Sequence, residues 1–226
     1  MKSMSDHLTS VQKRIYSSCS RSYREPTHIE LIAVSKGQTV EKIRSLYDLG
    51  VKTFGENYVQ ELCEKAGQLA DLELRWVFLG RIQSNKIKKM MPFLAEIQSV
   101  SSIEHALLID KEAAKLRKAD FSIYILVNAG DEAQKDGVRL QDLESFFDEI
   151  RKKCAQLRIR GIMSIPPLEM EEEARDKLYS RLRKEAGRIG EGRLSLGMSS
   201  DLELAIKHGS DTLRIGTDLF GIRHKK

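Results

Sequence analysis

A lysine comes just after a short apolar run near the start of the chain. Lys36 follows the run at residues 31–34, with only Ser35 between them. If this run is a buried strand, the amine lies at the edge of an apolar interior. Partial loss of water lowers the pKa of an amine and frees its lone pair for attack on an aldehyde. An ordinary solvated loop lysine is the alternative that position alone leaves open.

Two serines and a glycine-threonine pair follow the last two apolar runs. Ser199 and Ser200 stand at the start of a predicted helix, and Gly216 and Thr217 follow the last run. Hydroxyl groups, together with the free N–H groups of a helix's first turn, bind phosphate groups. The spacing therefore indicates a phosphate site, and simple capping of the helix by the serines is the alternative.

An arginine stands where the last apolar run ends. Arg214 lies two residues before Gly216 and would project from the end of a strand. A buried arginine needs an anion or an aromatic partner. A ligand anion or ring fits this need, and the alternative is an ion pair with Asp201, Glu203 or Asp218.

The elements that must position these residues alternate along the whole chain. Short runs rich in apolar and β-branched residues are followed by longer amphipathic stretches, which is typical of an α/β protein. The predicted strands cover residues 29–35, 51–54, 74–79, 94–100, 121–127, 159–164, 193–196 and 212–215. The predicted helices cover residues 40–49, 58–69, 85–91, 102–117, 142–154, 170–188 and 201–208, and a further helix precedes the first strand.

Eight strand-helix units in a chain slightly shorter than the ~250 residues of a typical (β/α)₈ barrel favour that fold. We predict one domain over residues 1–226, with an N-terminal helix at about 6–23 and a TIM barrel at about 29–222. An open, doubly wound sheet is the alternative, because the same alternation produces it. In a barrel, the residues that follow the strands meet at one end, so the lysine and the phosphate side would face each other there.

The composition excludes several classes of protein. With 226 residues, of which 41% are hydrophobic and 31% charged, the chain can bury one sizeable core. Its apolar stretches fall short of the ~20 residues of a membrane span, and residues 1–14 lack the apolar centre of a secretion signal. We therefore expect a cytosolic protein. Three cysteines without a C-x-x-C pair and five histidines without an i, i+4 pair predict neither disulfides nor a metal site.

The net charge of 38 − 33 = +5 permits attraction to polyanions without requiring it. Basic residues mostly alternate with acidic ones along the predicted helices, as on a solvated helix face. Local basic excesses remain at residues 81–89 and in the tail at 223–226. With 6% aromatic residues and no helix-turn-helix, RNA-recognition or zinc signature, we do not expect nucleic-acid binding.

An amine and a phosphate cradle across a barrel mouth are what pyridoxal 5′-phosphate (PLP) requires, because its aldehyde bonds to a lysine. The chain also resembles the PLP homeostasis protein family (YggS/PROSC type), whose barrel is similar to the N-terminal domain of alanine racemase. The resemblance covers about residues 32–223 and rests on seven ordered motifs. They are A-V-S-K (33–36), F-G-E-N-Y-V-Q-E (54–61), W-x-F-L-G-x-x-Q-S-N-K (76–86), V-N-x-x-x-E-x-x-K-x-G (127–137), R-G-I-M-S-I-P (160–166), G-M-S-S-D (197–201) and R-I-G-T-x-x-F-G-x-R (214–223).

The resemblance implies a cofactor site of eight residues. They are Lys36, Asn57, Met163, Ser199, Ser200, Arg214, Gly216 and Thr217. The lysine would form the Schiff base, and the arginine would pair with the pyridine nitrogen. The serines, the glycine and the threonine would hold the phosphate, and the other two residues would line the ring pocket. Family members commonly carry histidines where this chain has Val77 and Arg81, so roles tied to those histidines are not carried over.

The function that the resemblance implies is PLP binding without catalytic turnover, in which the protein buffers or delivers the cofactor in intracellular PLP (vitamin B6) homeostasis. PLP-dependent apoenzymes are the recipients to consider, and we expect a monomer. The alternative is a PLP-dependent amino-acid racemase. An arginine cannot keep the pyridine nitrogen protonated, so the ring is a poorer electron sink. Racemisation also needs a second base, which the resemblance assigns to a tyrosine in an added C-terminal domain of the racemases that we do not expect here.

Overall fold

The computed structural model describes residues 3–130, 132, 134–167 and 169–221, and at its centre lies a closed barrel of parallel strands. The strands are β1 Glu30–Val34, β2 Thr53–Glu56, β3 Arg75–Phe78, β4 Leu94–Val100, β5 Phe121–Asn128, β6 Val138–Arg139, β7 Leu157–Ser164, β8 Arg193–Ser195 and β9 Thr212–Ile215. Neighbouring strands follow the order β4-β3-β2-β1-β9-β8-β7-β5, and β4 also pairs with β5. This last pairing closes the ring, so the barrel is confirmed and the open sheet is wrong.

Helices surround the barrel. They are α1 Met4–Arg21, α2 Val40–Asp48, α3 Val59–Gln68, α4 Ile87–Met90, α5 Ile103–Lys115, α6 Leu143–Lys153, α7 Glu172–Ala186, α8 Leu202–Lys207 and α9 Thr217–Phe220. Helix α1 precedes the first strand, as predicted, and packs against α8 and α9. None of the helices in the described part of the chain is long and apolar enough to cross a membrane.

Several details differ from the sequence prediction. Helix α9 was not predicted, and strand β7 begins two residues earlier than expected. Strand β6 was expected to be loop, and it pairs with the end of β5 outside the ring. Strand β2 begins two residues later than predicted, because Gly50 takes a φ of 95° and the Val51 N–H donates to the Leu46 carbonyl at 3.0 Å. These contacts make residues 50 and 51 part of the turn that ends α2. The helix predicted at 85–91 divides into a 3₁₀ turn at Ser84–Lys86 and α4.

The barrel interior has an apolar part and a polar part. Ile32, Val77 and Leu79 form a small buried cluster with Val34 packed against it, separate from the larger core between the strands and the helices. Polar side chains cross the remaining space. The Ser195 hydroxyl on β8 donates to Gln98 on β4 at 2.7 Å, and these two strands are not neighbours in the ring. The interior is therefore a packed core and its open end is the mouth that holds the site.

Candidate functional site

The eight residues predicted to bind the cofactor all line one cavity at the carboxyl end of the barrel strands. The cavity measures about 500 Å³, a size typical of small-molecule sites. We call it the lysine cavity. Its lining consists of Lys36, Asn57, Met163, Ser199, Ser200, Arg214, Gly216 and Thr217, together with Val34, Leu79, Ile165, Met198 and Asp218. The last five residues were not identified from the sequence.

Lys36 lies in the turn that follows β1. The Ser35 N–H donates to the Gly55 carbonyl at 3.0 Å, so pairing with β2 continues up to the residue before the lysine. Gly37 then takes a φ of 69°, a left-handed conformation that favours glycine. The Gln38 N–H closes the turn on the Ser35 carbonyl at 3.0 Å. Because Lys36 is half-buried, it is not the fully solvated loop lysine of the alternative reading.

A buried ion-pair network centred on Lys65 of α3 supports this turn. The Lys65 Nζ on α3 donates to the Ser35 carbonyl at 2.6 Å, to Glu56 Oε1 at 2.7 Å and to Glu61 Oε1 at 2.6 Å. The Gly37 N–H donates to the same Glu61 oxygen at 2.5 Å. Glu56 is fully buried, and burial raises the pKa of its carboxyl group. The network fixes the backbone on both sides of Lys36.

Arg214 is a buried cation held by neutral groups. Its Nη1 donates to the Ser195 hydroxyl at 2.6 Å and its Nη2 to the Ser164 carbonyl at 2.8 Å. Ser195 in turn donates to Gln98, whose amide donates to Glu96 at 2.6 Å. Burial lowers the pKa of Arg214 to about 10, so the guanidinium stays charged near neutral pH. These two hydrogen bonds use two of the five N–H donors of the guanidinium, so donors remain for a ligand.

The ion pairs considered for Arg214 do not form. Glu203 and Asp218 are taken by Arg14 of α1, whose Nε donates to Glu203 Oε1 at 2.6 Å and whose Nη1 donates to Asp218. The Arg14 Nη2 also donates to the Ser199 carbonyl at 2.9 Å. A residue of the N-terminal helix therefore ties together the two loops that carry the predicted phosphate ligands.

The loop after β8 presents its serines without using them as helix caps. Asp201 is the N-cap residue of α8, and its carboxylate accepts from the Met198 N–H at 2.7 Å and from the Tyr179 hydroxyl. The loop begins at Gly197, whose φ is 101° and where a Cβ would lie 2.6 Å from the Ala205 Cβ. The Ser199 hydroxyl accepts from the Asp218 N–H at 3.3 Å, which links this loop to the start of α9. Simple capping of α8 by the serines is thus wrong.

The other predicted residues complete the walls. Asn57 follows β2, and a Cβ at Gly80 would lie 1.8 Å from the Asn57 carbonyl oxygen. Only glycine therefore lets the chain leaving β3 pass this close to Asn57. Met163 is buried near the end of β7. Arg81, at one of the positions that depart from the family pattern, is exposed and pairs with Asp136 at 3.2 Å.

The lining fits a molecule with an aldehyde, an aromatic ring and a phosphate. An amine stands at one end, and hydroxyl groups of two serines and a threonine stand at the loops after β8 and β9. A buried guanidinium with a spare donor suits a ring nitrogen that carries no proton. In the described part of the chain, no group of three or more histidine, cysteine, aspartate or glutamate residues is placed to hold a metal ion.

The fold and the site place the chain in a broad class of barrel proteins. The family model described as alanine racemase, N-terminal domain, matches residues 18–224. The solved alanine racemase of Streptomyces coelicolor has the same fold, with a TM-score of 0.69 at 14% identity over 95% of this chain and 58% of that one. The chain is therefore a barrel of the alanine racemase N-terminal class.

Relatives with a narrower name match over nearly the whole length. The pyridoxal phosphate homeostasis proteins of Pseudomonas aeruginosa and Aquifex aeolicus are 36% and 38% identical to this chain, and the matches cover 99% and 96% of it and 97% of each relative. PipY of Synechococcus elongatus, solved with PLP bound, superposes with a TM-score of 0.80 at 33% identity, over 93% of this chain and 100% of that one. The chain belongs to the pyridoxal phosphate homeostasis protein family.

Sequence reasoning misses the side chains that stand behind the lining. Arg14, Lys65 and Ser195 contact lining residues or their backbone without being identified beforehand. The sequence contains one signal for Lys65. This charged residue lies at helical spacing between Leu62 and Leu69, on the apolar face of α3. A long charged side chain on such a face needs a buried partner. The partner itself is set by the tertiary fold.

Proposed function

We propose that the protein binds PLP in the lysine cavity and takes part in PLP homeostasis by holding and handing on the cofactor. The observation that carries the proposal is the common cavity, which Lys36, Arg214 and Thr217 line together with the two serines. The names of the relatives and the PLP bound to PipY support it. PLP-dependent apoenzymes are the proposed recipients, and the cytosolic location and monomeric state stay predictions.

Each residue has a defined task in this proposal. PLP, when bound, would supply an aldehyde that is reactive towards amines. Lys36 supplies the amine, and the Lys65 network holds its turn in place. Arg214 would hold the ring nitrogen, and the hydroxyl groups of Ser200 and Thr217 would hold the phosphate. Met163 and Leu79 supply apolar surface for the ring.

We further propose that the protein has no catalytic turnover. A guanidinium at the ring nitrogen cannot keep that nitrogen protonated, so the ring would be a poor electron sink. A substrate Cα–H bond would therefore be weakly activated. No tyrosine is among the described residues that line the lysine cavity, and the buried Tyr179 donates to Asp201 instead. A tyrosine base of the racemase kind therefore has no counterpart in this lining.

Borohydride trapping tests the binding proposal. The purified protein should be yellow, and reduction should convert the chromophore into a stable adduct that survives denaturation. Lys36→Ala should lose the adduct, and Lys52→Ala, at an exposed lysine before β2, should keep it. Non-covalent PLP retained by Lys36→Ala would agree with the proposal, because the phosphate side survives. An undiminished adduct in Lys36→Ala would contradict it.

Chiral chromatography tests the absence of turnover. L- and D-alanine, serine and glutamate are incubated with the PLP-loaded protein in deuterated water, and both inversion and Cα exchange are measured. We expect no inversion, because one face at most of the Cα would meet a base. Inversion that depends on Lys36 at rates near the ~10 s⁻¹ median of enzymes would contradict the proposal.

A further inference from the structure

A second cavity opens beside the lysine cavity at the same end of the barrel. It measures about 720 Å³ and shares the lining residues Asn57, Leu79, Met163 and Ile165 with the lysine cavity. Its far wall is formed by the end of β4 and the start of α5. We call it the serine cavity, after the lining residues Ser99, Ser101 and Ser102, which stand there with His105.

Two polar groups of this wall are buried without a partner. Ser99 is 3% exposed, and its hydroxyl has no hydrogen-bond partner among the described residues. The Nδ1 atom of His105 is likewise buried and unpartnered in that part of the chain. Buried polar groups are nearly always paired, since leaving one unpaired is costly. Both residues line the serine cavity, so a polar molecule in the cavity would be placed beside these two groups.

The start of α5 adds a positive electrostatic contribution at the same wall. This helix has 13 residues, and its N-cap Ser102 accepts from the His105 N–H at 3.2 Å. The N–H groups of the first turn and the helix dipole favour a negative charge in front of it. Glu104 in that turn does not line the cavity, and its carboxylate accepts from the Ser84 hydroxyl at 2.8 Å.

We propose that the serine cavity binds the carboxylate of a small molecule, held by Ser99 and His105 in front of the N-terminus of α5. The donors are neutral hydroxyl, imidazole and backbone groups. The lining cations Arg81 and Lys135 are already paired with the carboxylates of Asp136 and Glu132. With these cations paired, the described lining offers little unbalanced positive charge, which suits a singly charged carboxylate better than a doubly charged phosphate. The inference is independent of the proposed function, because it concerns other residues and requires no PLP.

Amide NMR shifts of the full ¹⁵N-labelled chain test this inference, with sodium acetate as the probe and chloride keeping the ionic strength constant. We expect saturable shifts at the N–H groups of Ser101 and Ser102, which line the cavity at the start of α5. Ser99→Ala should weaken acetate binding about tenfold or more, because it removes a hydrogen bond to a charged group. The matched control Ser145→Ala, at an exposed serine on α6, should leave acetate binding unchanged.

Two histidine variants test which ring nitrogen is used. His105→Asn keeps a polar atom near the position of Nδ1 and should retain acetate binding better than His105→Gln, which places its amide further out. The inference is overturned if wild-type protein gives no saturable shift, or if Ser145→Ala weakens binding as much as Ser99→Ala. It is also overturned if inorganic phosphate shifts the same amides at lower concentration than acetate, since the site would then prefer a different anion.

Discussion

The two halves of the barrel mouth differ in how their polar groups are satisfied. Around the lysine cavity, Arg14, Lys65 and Ser195 stand behind the lining and hold it by hydrogen bonds, and Oε2 of Glu56 is an exception without a partner. In the serine cavity, the Ser99 hydroxyl and the His105 Nδ1 are buried and have no hydrogen-bond partner in the described part of the chain. The comparison indicates that protein groups already satisfy most polar groups around the lysine cavity. In the serine cavity, a bound ligand would supply the missing hydrogen bonds.

Removing the Lys65 amine should cause the largest loss of stability. The groups around the lysine cavity that now bind this amine would then lack a partner, as Ser99 does in the serine cavity. Lys65→Met leaves Glu56 buried without its cation and releases the turn that carries Lys36. Breaking a buried ion pair from one side costs about 3–5 kcal/mol of unfolding free energy. Urea unfolding should show this loss, and Lys52→Met should show almost none. A loss below about 1 kcal/mol, typical of exposed pairs, would contradict the role of the network.

The same variant should have a characteristic pH dependence. Burial already raises the pKa of Glu56 above the ordinary carboxyl value, so protonation of this group favours the folded state. Without Lys65 the effect should grow. The stability deficit of Lys65→Met should therefore shrink as the pH falls through that pKa and widen as the pH rises. The added change Glu56→Gln should remove this dependence, and a deficit that stays constant with pH would argue against it.

Substitution of the hydroxyl groups at the phosphate side should have the second largest effect, which is a loss of PLP affinity. Ser200→Ala and Thr217→Val each remove one donor expected to contact the phosphate alone. Each lost hydrogen bond to a charged oxygen costs about 1.5–3 kcal/mol, roughly tenfold or more in affinity. Equilibrium dialysis should show weaker PLP binding and nearly unchanged pyridoxal binding. Equal losses for both ligands would remove these residues from the phosphate site.

Arg14 should give the smallest effect, because it acts through the loops and not on the ligand. Its side chain is 32% exposed, and partly exposed ion pairs contribute about 1 kcal/mol or less. Arg14→Met should weaken PLP binding up to about fivefold, again with pyridoxal nearly unchanged. Arg14→Lys should recover part of the loss. If pyridoxal binding falls as much as PLP binding, the arginine stabilises the fold in general and does not position the phosphate loops.

The sequence allows the barrel and the lining to be predicted because both depend on local patterns. Lys36 and Thr217 are recognised by their places after apolar runs, and a barrel brings such positions to one end. Arg14 is different, since its partners Glu203 and Asp218 lie far along the chain and no local spacing joins them. The serine cavity is also absent from the prediction, because the sequence shows Ser102 only as a helix cap. The buried, unpartnered Ser99 hydroxyl and His105 Nδ1 become visible only in the tertiary fold.

Mapping the reduced adduct in the unaltered protein tests the central claim most directly. The protein is loaded with PLP, reduced with borohydride, digested, and its peptides are sequenced by mass spectrometry. The account predicts a phosphopyridoxyl group on Lys36, the residue that follows β1 and lines the cavity with Arg214 and Thr217. Labelling mainly on another lysine, or spread over the exposed lysines in proportion to their accessibility, would contradict it.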